Sequence, residues 1–146
     1  MEIKFARIKD VKMPVRGTAE SAGIDFFVPN DFETITIKNG EDVKIQSGIK
    51  CKMPKNTALI AFNKSGVALK GLSIGAKVID EDYMGEISIH VYNRSNNDVT
   101  INPGDKLVQF INLPVIYSIP TEVDESELFD TITERGEGGF GSTGTR

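Results

Sequence analysis

The sequence predicts an all-β domain. Three observations carry this: apolar residues recur at every second position through most of the chain, turn-forming residues interrupt them at short intervals, and only one brief stretch has helical character. Period-two alternation sends successive side chains to opposite faces of a strand, so each run can offer one face to a core. Along the chain, "IKFARI" sets Ile3, Phe5 and Ile8 on one side. The run "VKIQSGIKCKM" places Val43, Ile45, Ile49, Cys51 and Met53 at even spacings, and "GEISIHVYN" does the same with Ile87, Ile89 and Val91. "LVQFINLPVI" is almost continuously apolar, the mark of a strand covered on both faces, lying deepest in the fold or between subunits. The breaks "VPND", "KNGED", "NRSNND" and "NPGD" supply Gly, Pro, Asn or Asp where the backbone must reverse. "KSGVALKGL", with Val67, Ala68 and Leu69 between glycines, is long enough for a turn or two of helix. Many short strands with such turns imply a sandwich or barrel.

A length of 146 residues fits one domain with a real core. Seventeen basic against 21 acidic side chains give a net charge of −4, so the field of the whole protein does not attract a polynucleotide. One cysteine, Cys51, and one histidine, His90, exclude an intrachain disulfide and any zinc site made of several Cys or His ligands. The start "MEIKFARIKD" lacks the apolar core of a signal peptide, and nowhere do about 18 apolar residues run together. The expectation is a cytoplasmic protein with no membrane contact. After Pro120 the composition turns acidic, "TEVDESELFD", and then glycine-rich, "RGEGGFGSTGTR". We therefore divide the chain into a β core, residues 1–120, and a C-terminal arm, residues 121–146.

The chain has no G-x-x-x-x-G-K-[ST] or G-x-G-x-x-G run opening a helix, which excludes P-loop and Rossmann chemistry. A Cys51–His90 nucleophile pair reads as ordinary strand packing. The segment "VIDEDYMGE" sets Asp80, Glu81, Asp82 and Glu86 around a Tyr83-x-Gly85 turn, read as a hairpin. Such acids either solvate the turn or hold a water at the wall of a small-molecule pocket, with the aromatic packed on a ring. In "NKSGVALKG", Lys64 and Ser65 precede a helical turn and suit either an anion or a simple helix cap. In "NPGDKLVQF", Pro103, Gly104 and Asp105 form a turn, and Gln109 faces a ligand or a solvent-lined groove. The arm combines a cation, Arg135, one aromatic face, Phe140, and two hydroxyls, Ser142 and Thr143, which suits a nucleotide's phosphates and base.

Taken in order, "AGIDFFVP", "NKSGVALKG", "VIDEDYMGE", "NPGDKLVQF" and "RGEGGFGSTG" resemble the five motifs of the homotrimeric dUTPase family, over residues 22–144. The resemblance implies a jelly-roll-like fold, a homotrimer with active sites shared between subunits, and hydrolysis of dUTP to dUMP and pyrophosphate with Mg²⁺ held by substrate phosphates and waters. It implies that Asp80 orients the attacking water and that Tyr83 packs where a ribose 2′-hydroxyl would have to fit. The backbone at Lys77, Val78 and Ile79 would read uracil, and Phe140 would stack on the base from an arm closing over a neighbour's site. Lys64, Ser65, Gly66 and Gln109, with Arg135, Gly141, Ser142 and Thr143 of the arm, match phosphate-contacting positions. Asp25 matches a position near phosphate and metal that is partly structural, and Asp105 a structural one.

The chain departs from the usual motifs at three places: Asn63-Lys64-Ser65 stands for Pro-Arg-Ser, Tyr83-Met84-Gly85 for Tyr-Arg-Gly, and Lys77 for a glycine. Lysine keeps the charge at 64 but cannot make a bidentate contact, and a side chain at 77 could restrict a backbone meant to approach a base. Three other readings stand beside the main one. In the related dCTP deaminases a catalytic glutamate falls, on alignment at Gly85, where this chain has His90. A hydrolase of altered base preference would keep the site and change the base-reading backbone. A nucleotide-binding regulatory protein would use arm closure as its switch.

Overall fold

The computed structural model describes residues 1–141 and 144. It contains two compact units, Met1–Ile116 and Tyr117–Arg146. The first consists of β1 (Lys4–Arg7), β2 (Val15–Arg16), β3 (Ile24–Phe26), β4 (Ile35–Ile37), β5 (Asp42–Gln46), β6 (Ile49–Lys52), β7 (Thr57–Asn63), helix α1 (Ser65–Leu69), β8 (Leu72–Ile74), β9 (Val78–Ile79), β10 (Ser88–Asn93), β11 (Val99–Ile101) and β12 (Val108–Pro114). The chain is all-β, as its alternation predicts, and the brief helix falls on the one stretch with helical character. Its strands form a five-stranded sheet of order β2-β3-β12-β7-β9, a three-stranded sheet β5-β10-β8, and the pairs β1-β6 and β4-β11, with every pairing antiparallel.

The inward residues of the alternating runs make the core. Ile45, Ile49, Ile87, Ile89 and Val91 are buried. At the centre, Phe26 meets Phe5 edge-on at 5.6 Å between ring centroids and tilts against Phe110 at 4.6 Å, spacings that suit aromatic quadrupoles. Asn93, fully buried at the end of β10, donates to the carbonyls of Ile37 (2.9 Å) and Asn97 (2.8 Å) and accepts from the Ser95 backbone N–H (2.9 Å) and hydroxyl (2.7 Å). Its amide is thereby satisfied at both ends, the condition for a polar group in a core.

Within the first unit, four details differ from the sequence reading. Ile8 is exposed, because β1 ends at Arg7. The run "VKIQSGIKCKM" is two strands in different sheets, β5 beside β10 and β6 beside β1, with the chain crossing between them at Ser47 and Gly48. β12 is central in its sheet, yet only Val108 and Phe110 are fully covered; Gln109, Ile111 and Asn112 are half-buried and Leu113 is exposed. One face of that strand is core and the other is left half-open within a single chain.

The fourth difference concerns the expected hairpin at "VIDEDYMGE". β9 pairs with β7 and β10 with β5 and β8, so the segment between them joins two sheets instead of folding one strand back on the other. Its anchors explain the path: the Glu86 carboxylate accepts the Gly48 N–H at 2.7 Å and pairs with Lys9 at 3.2 Å, while Ile87 exchanges backbone bonds with Ser47 and Ile49. The second unit adds a helical turn that the sequence did not suggest, α2 (Glu125–Leu128), within the acidic stretch; Glu125 and Glu127 lie in its first turn, where negative charge suits the helix dipole. No helix among the described residues is long and apolar enough to cross a membrane.

Candidate active site

The loop after β9 lines a cleft of about 240 Å³ whose walls include Val78, Ile79, Asp80 and Tyr83. Four sequence-predicted residues therefore meet in one place. Asp80 is exposed, and among the described residues no side chain pairs with its carboxylate, so both oxygens are open to accept from a water or a sugar hydroxyl. The Tyr83 N–H donates to the Asp80 carbonyl at 3.1 Å, closing the turn that sets the two side chains side by side. The Tyr83 hydroxyl donates to the Glu86 carbonyl at 2.9 Å. That bond folds the ring over Gly85, where an added Cβ would stand 2.3 Å from the phenolic oxygen. The Tyr-x-Gly spacing thus has a steric cause: the glycine leaves room for the ring.

Lys77 precedes β9, and its carbonyl accepts the Ala61 N–H at 2.8 Å. Among the described non-glycine residues only Asn56 has positive φ, so a side chain at 77 costs the backbone no left-handed strain. Asn56 owes its turn to Glu81, whose carboxylate accepts the Asn56 N–H at 2.8 Å. Met84 is exposed and lines a second, wider groove of about 690 Å³ together with Tyr83, Phe5, Lys50 and Cys51. Burial pushes the Cys51 thiol up from its ordinary value, which leaves it a poor nucleophile. His90 lies in another sheet, bonded to Asp42, and the two do not form a nucleophile pair.

A second cluster gathers at the end of β7. Asp25 is 6% exposed, and its carboxylate lies between two lysines: Lys64 bonds one oxygen and Lys106 stands 3.4 Å from the other. Two ammonium groups offset the cost of burying that charge. Gln109, cross-strand from Asp25, donates from its side-chain amide to the Asn63 carbonyl at 2.8 Å. Lys64 is the residue capping α1, with no side-chain cap bond, and Ser65 and Gly66 follow it, both exposed. Asp105 closes its turn by accepting the Asn102 N–H at 2.8 Å, a structural task. Among the described residues no three His, Cys, Asp or Glu side chains form a metal-holding group, and Asp25 has both oxygens engaged by lysine. A Mg²⁺ cage built by the protein alone does not fit these residues.

The two clusters share a sheet but not a location. Ile79 pairs with Leu59, so Asp80 stands about one residue beyond, roughly 17 Å along β7 from Asn63 at ~3.4 Å per residue. In the second unit, Arg135 donates from Nε to the Gly138 carbonyl at 2.8 Å, Phe140 is fully exposed, and Gly141 has a φ of 93°. Ser142 and Thr143 lie outside the described residues. The sequence reading missed Lys44, Ala76, Ser88 and His90, which also line the Asp80 cleft. Lys44 and His90 arrive there through the β5–β10 pairing, and the signal that could have found His90 is its being the chain's sole histidine, on the strand that follows the acidic loop.

Comparison with known proteins gives a consistent result. A family model described as dUTPase matches residues 9–144. The deoxyuridine 5′-triphosphate nucleotidohydrolase of Debaryomyces hansenii is 36% identical over 141 residues, covering 96% of this chain and 85% of that one. In structure, the chain is similar to a Staphylococcus bacteriophage 80alpha dUTPase mutant with dUpNHpp, at TM-score 0.83 and 24% identity over 98% of each chain. It is also similar to a mutant dUTPase of phage phi11 of S. aureus that coordinates a structural Mg(II) ion, at TM-score 0.74 and 22% identity over 86% of this chain and 98% of that one.

Proposed function

The chain belongs to the dUTPase family, and from that premise we infer that it hydrolyses dUTP to dUMP and pyrophosphate, limiting uracil incorporation into DNA and supplying dUMP for dTMP synthesis in the cytoplasm of a cell or virus-infected host. Asp80 accepts a hydrogen bond from a water and from the deoxyribose 3′-hydroxyl, and aims the water at the α-phosphorus. A new bond forms from that water oxygen to phosphorus as its proton passes to the Asp80 carboxylate, the bond to the bridging α–β oxygen breaks, and the pair of electrons leaves with pyrophosphate. The Tyr83 ring, folded over Gly85, occupies the space a 2′-hydroxyl would need. The backbone at Lys77, Val78 and Ile79 reads the uracil edge by its fixed donors and acceptors. The observation that carries this reading is the meeting of Asp80, Tyr83, Val78 and Ile79 in one cleft.

Phosphates are met by Ser65, Gly66 and Gln109, with Arg135, Gly141, Ser142 and Thr143 of the arm, while Phe140 stacks on the base. Lys64 takes part through its pairing with Asp25. Mg²⁺, if bound, would be held by the phosphates of dUTP and by waters rather than by a protein cage, and would supply charge neutralisation at the triphosphate. Asp80 and the phosphate-assigned groups at the end of β7 lie in two places, about 17 Å apart along the strand at ~3.4 Å per residue. This supports sites completed by neighbouring copies in a homotrimer, and the half-open face of β12 supports the same assembly. The alternatives of a deaminase or a purely regulatory nucleotide-binding protein are not favoured.

The test is pyrophosphate release from dUTP, dCTP, dTTP and UTP, with Mg²⁺ or with EDTA. Selective cleavage of dUTP is expected, with Asp80→Ala lowering kcat by about 10²- to 10⁴-fold, the usual range for loss of a general base. Equal rates on all four substrates, or an undiminished Asp80→Ala, would overturn the assignment.

A further inference from the structure

His90 lines the Asp80 cleft beside Ala76, and it has two polar partners and a steric one. Its Nδ1 lies 3.1 Å from the Ala76 backbone nitrogen, and its Nε2 lies 2.8 Å from Oδ2 of Asp42. An amide N–H can only donate, so Nδ1 must hold the lone pair and the proton must sit on Nε2, facing the carboxylate. One tautomer of the neutral ring satisfies both contacts. The His90 carbonyl accepts the Gly75 N–H at 2.8 Å, and a Cβ on Gly75 would stand 2.1 Å from Nδ1. The ring is therefore laid flat against the Gly75 backbone, and consecutive amides of residues 75 and 76 are both tied to this one histidine. The next residues, Lys77 to Ile79, are those assigned to base reading.

We propose that His90 is a positioning residue for base selection: held by Asp42, its imidazole fixes the Gly75–Ala76 backbone and so sets the direction of the amides that read the nucleobase. The proposal rests on the reading of this cleft as the base and sugar site. It gives the only histidine a task that the position's packing alone does not need, since its side chain is 18% exposed and both its ring nitrogens are used. Asp42 acts through the ring, orienting it as carboxylates orient histidines elsewhere. Asparagine can put an acceptor where Nδ1 lies, whereas glutamine reaches nearer Nε2, so the two amides separate the Ala76 bond from mere bulk.

The experiment is steady-state kinetics on full-length protein with dUTP and dCTP for wild type, His90→Ala, His90→Asn and His90→Gln. His90→Ala is expected to raise KM for dUTP about ten-fold, the scale of one lost oriented hydrogen bond, with kcat within about three-fold. The dUTP-to-dCTP ratio of kcat/KM should fall, and His90→Asn but not His90→Gln should restore both. An unchanged KM and base ratio in His90→Ala, or equal behaviour of the two amides, would overturn the proposal while leaving dUTP hydrolysis intact. A wild-type chain that spares dUTP would instead sink the reading of the cleft, and this role with it. Should His90→Ala not fold, nitrogen NMR of the wild type decides: Nδ1 without a proton and a slowly exchanging Ala76 amide support the role, and a protonated Nδ1 refutes it.

Discussion

Asp80 and Glu86 come from one acidic loop and do opposite work. Glu86 is held by the Gly48 N–H and by Lys9, whereas Asp80 is exposed and unpaired among the described residues. Removing Glu86 would leave the Gly48 amide without its acceptor, at a cost of about 1–3 kcal/mol. Glu86→Ala should therefore lower the melting temperature while the folded fraction keeps most of its kcat, the reverse of Asp80→Ala. Denaturation curves paired with active-site-normalised rates check this, and a stable but inactive Glu86→Ala would contradict it. The sequence presents both residues as acids near a tyrosine and a glycine. What separates them is a partner far along the chain, Gly48, which no local pattern names. Asp105 was legible because its partner, Asn102, is in its own turn.

At the scale of elements, alternation identified strands well and their neighbours poorly. Ile87, Ile89 and Val91 are buried as their spacing requires, since one-residue slips would turn them all to solvent. Period two says nothing of which strand lies alongside, so the loop from β9 to β10 looked like a hairpin and proved to join two sheets. The same limit hid the break of β5 from β6. The Tyr-x-Gly motif was legible as a motif, and its reason appears only in the fold, where the ring lies over Gly85. Gly85→Ala should push the ring out of place, costing about 1–3 kcal/mol of stability as overpacking does. Discrimination of dUTP against UTP should fall by about ten-fold, as lost specificity contacts do. Competition assays with both nucleotides check this, and unchanged sugar selectivity would detach Tyr83 from that role.

At the scale of the whole molecule, the chain contains a strand-built unit to Ile116 and a second unit from Tyr117, within which Arg135 bonds the Gly138 carbonyl. Truncation before Arg135 should leave a folded protein with the melting temperature of the full chain and little hydrolysis of dUTP, read by calorimetry and pyrophosphate release. Full activity in the truncated protein would remove the arm from the site. The strand-built unit is closed by partners distant in sequence: Thr36 of β4 meets Thr100 of β11 across 64 residues, at 3.0 Å between hydroxyls. Such pairings must bear the entropy of closing long loops before they gain any contact, which places refolding in milliseconds to seconds. During synthesis the delay is longer, because β4 waits about 3–13 s for β11 at ~5–20 residues per second. A nascent chain therefore spends seconds with β-prone edges open, and its yield in a cell should depend on how well chaperones shelter them over that interval.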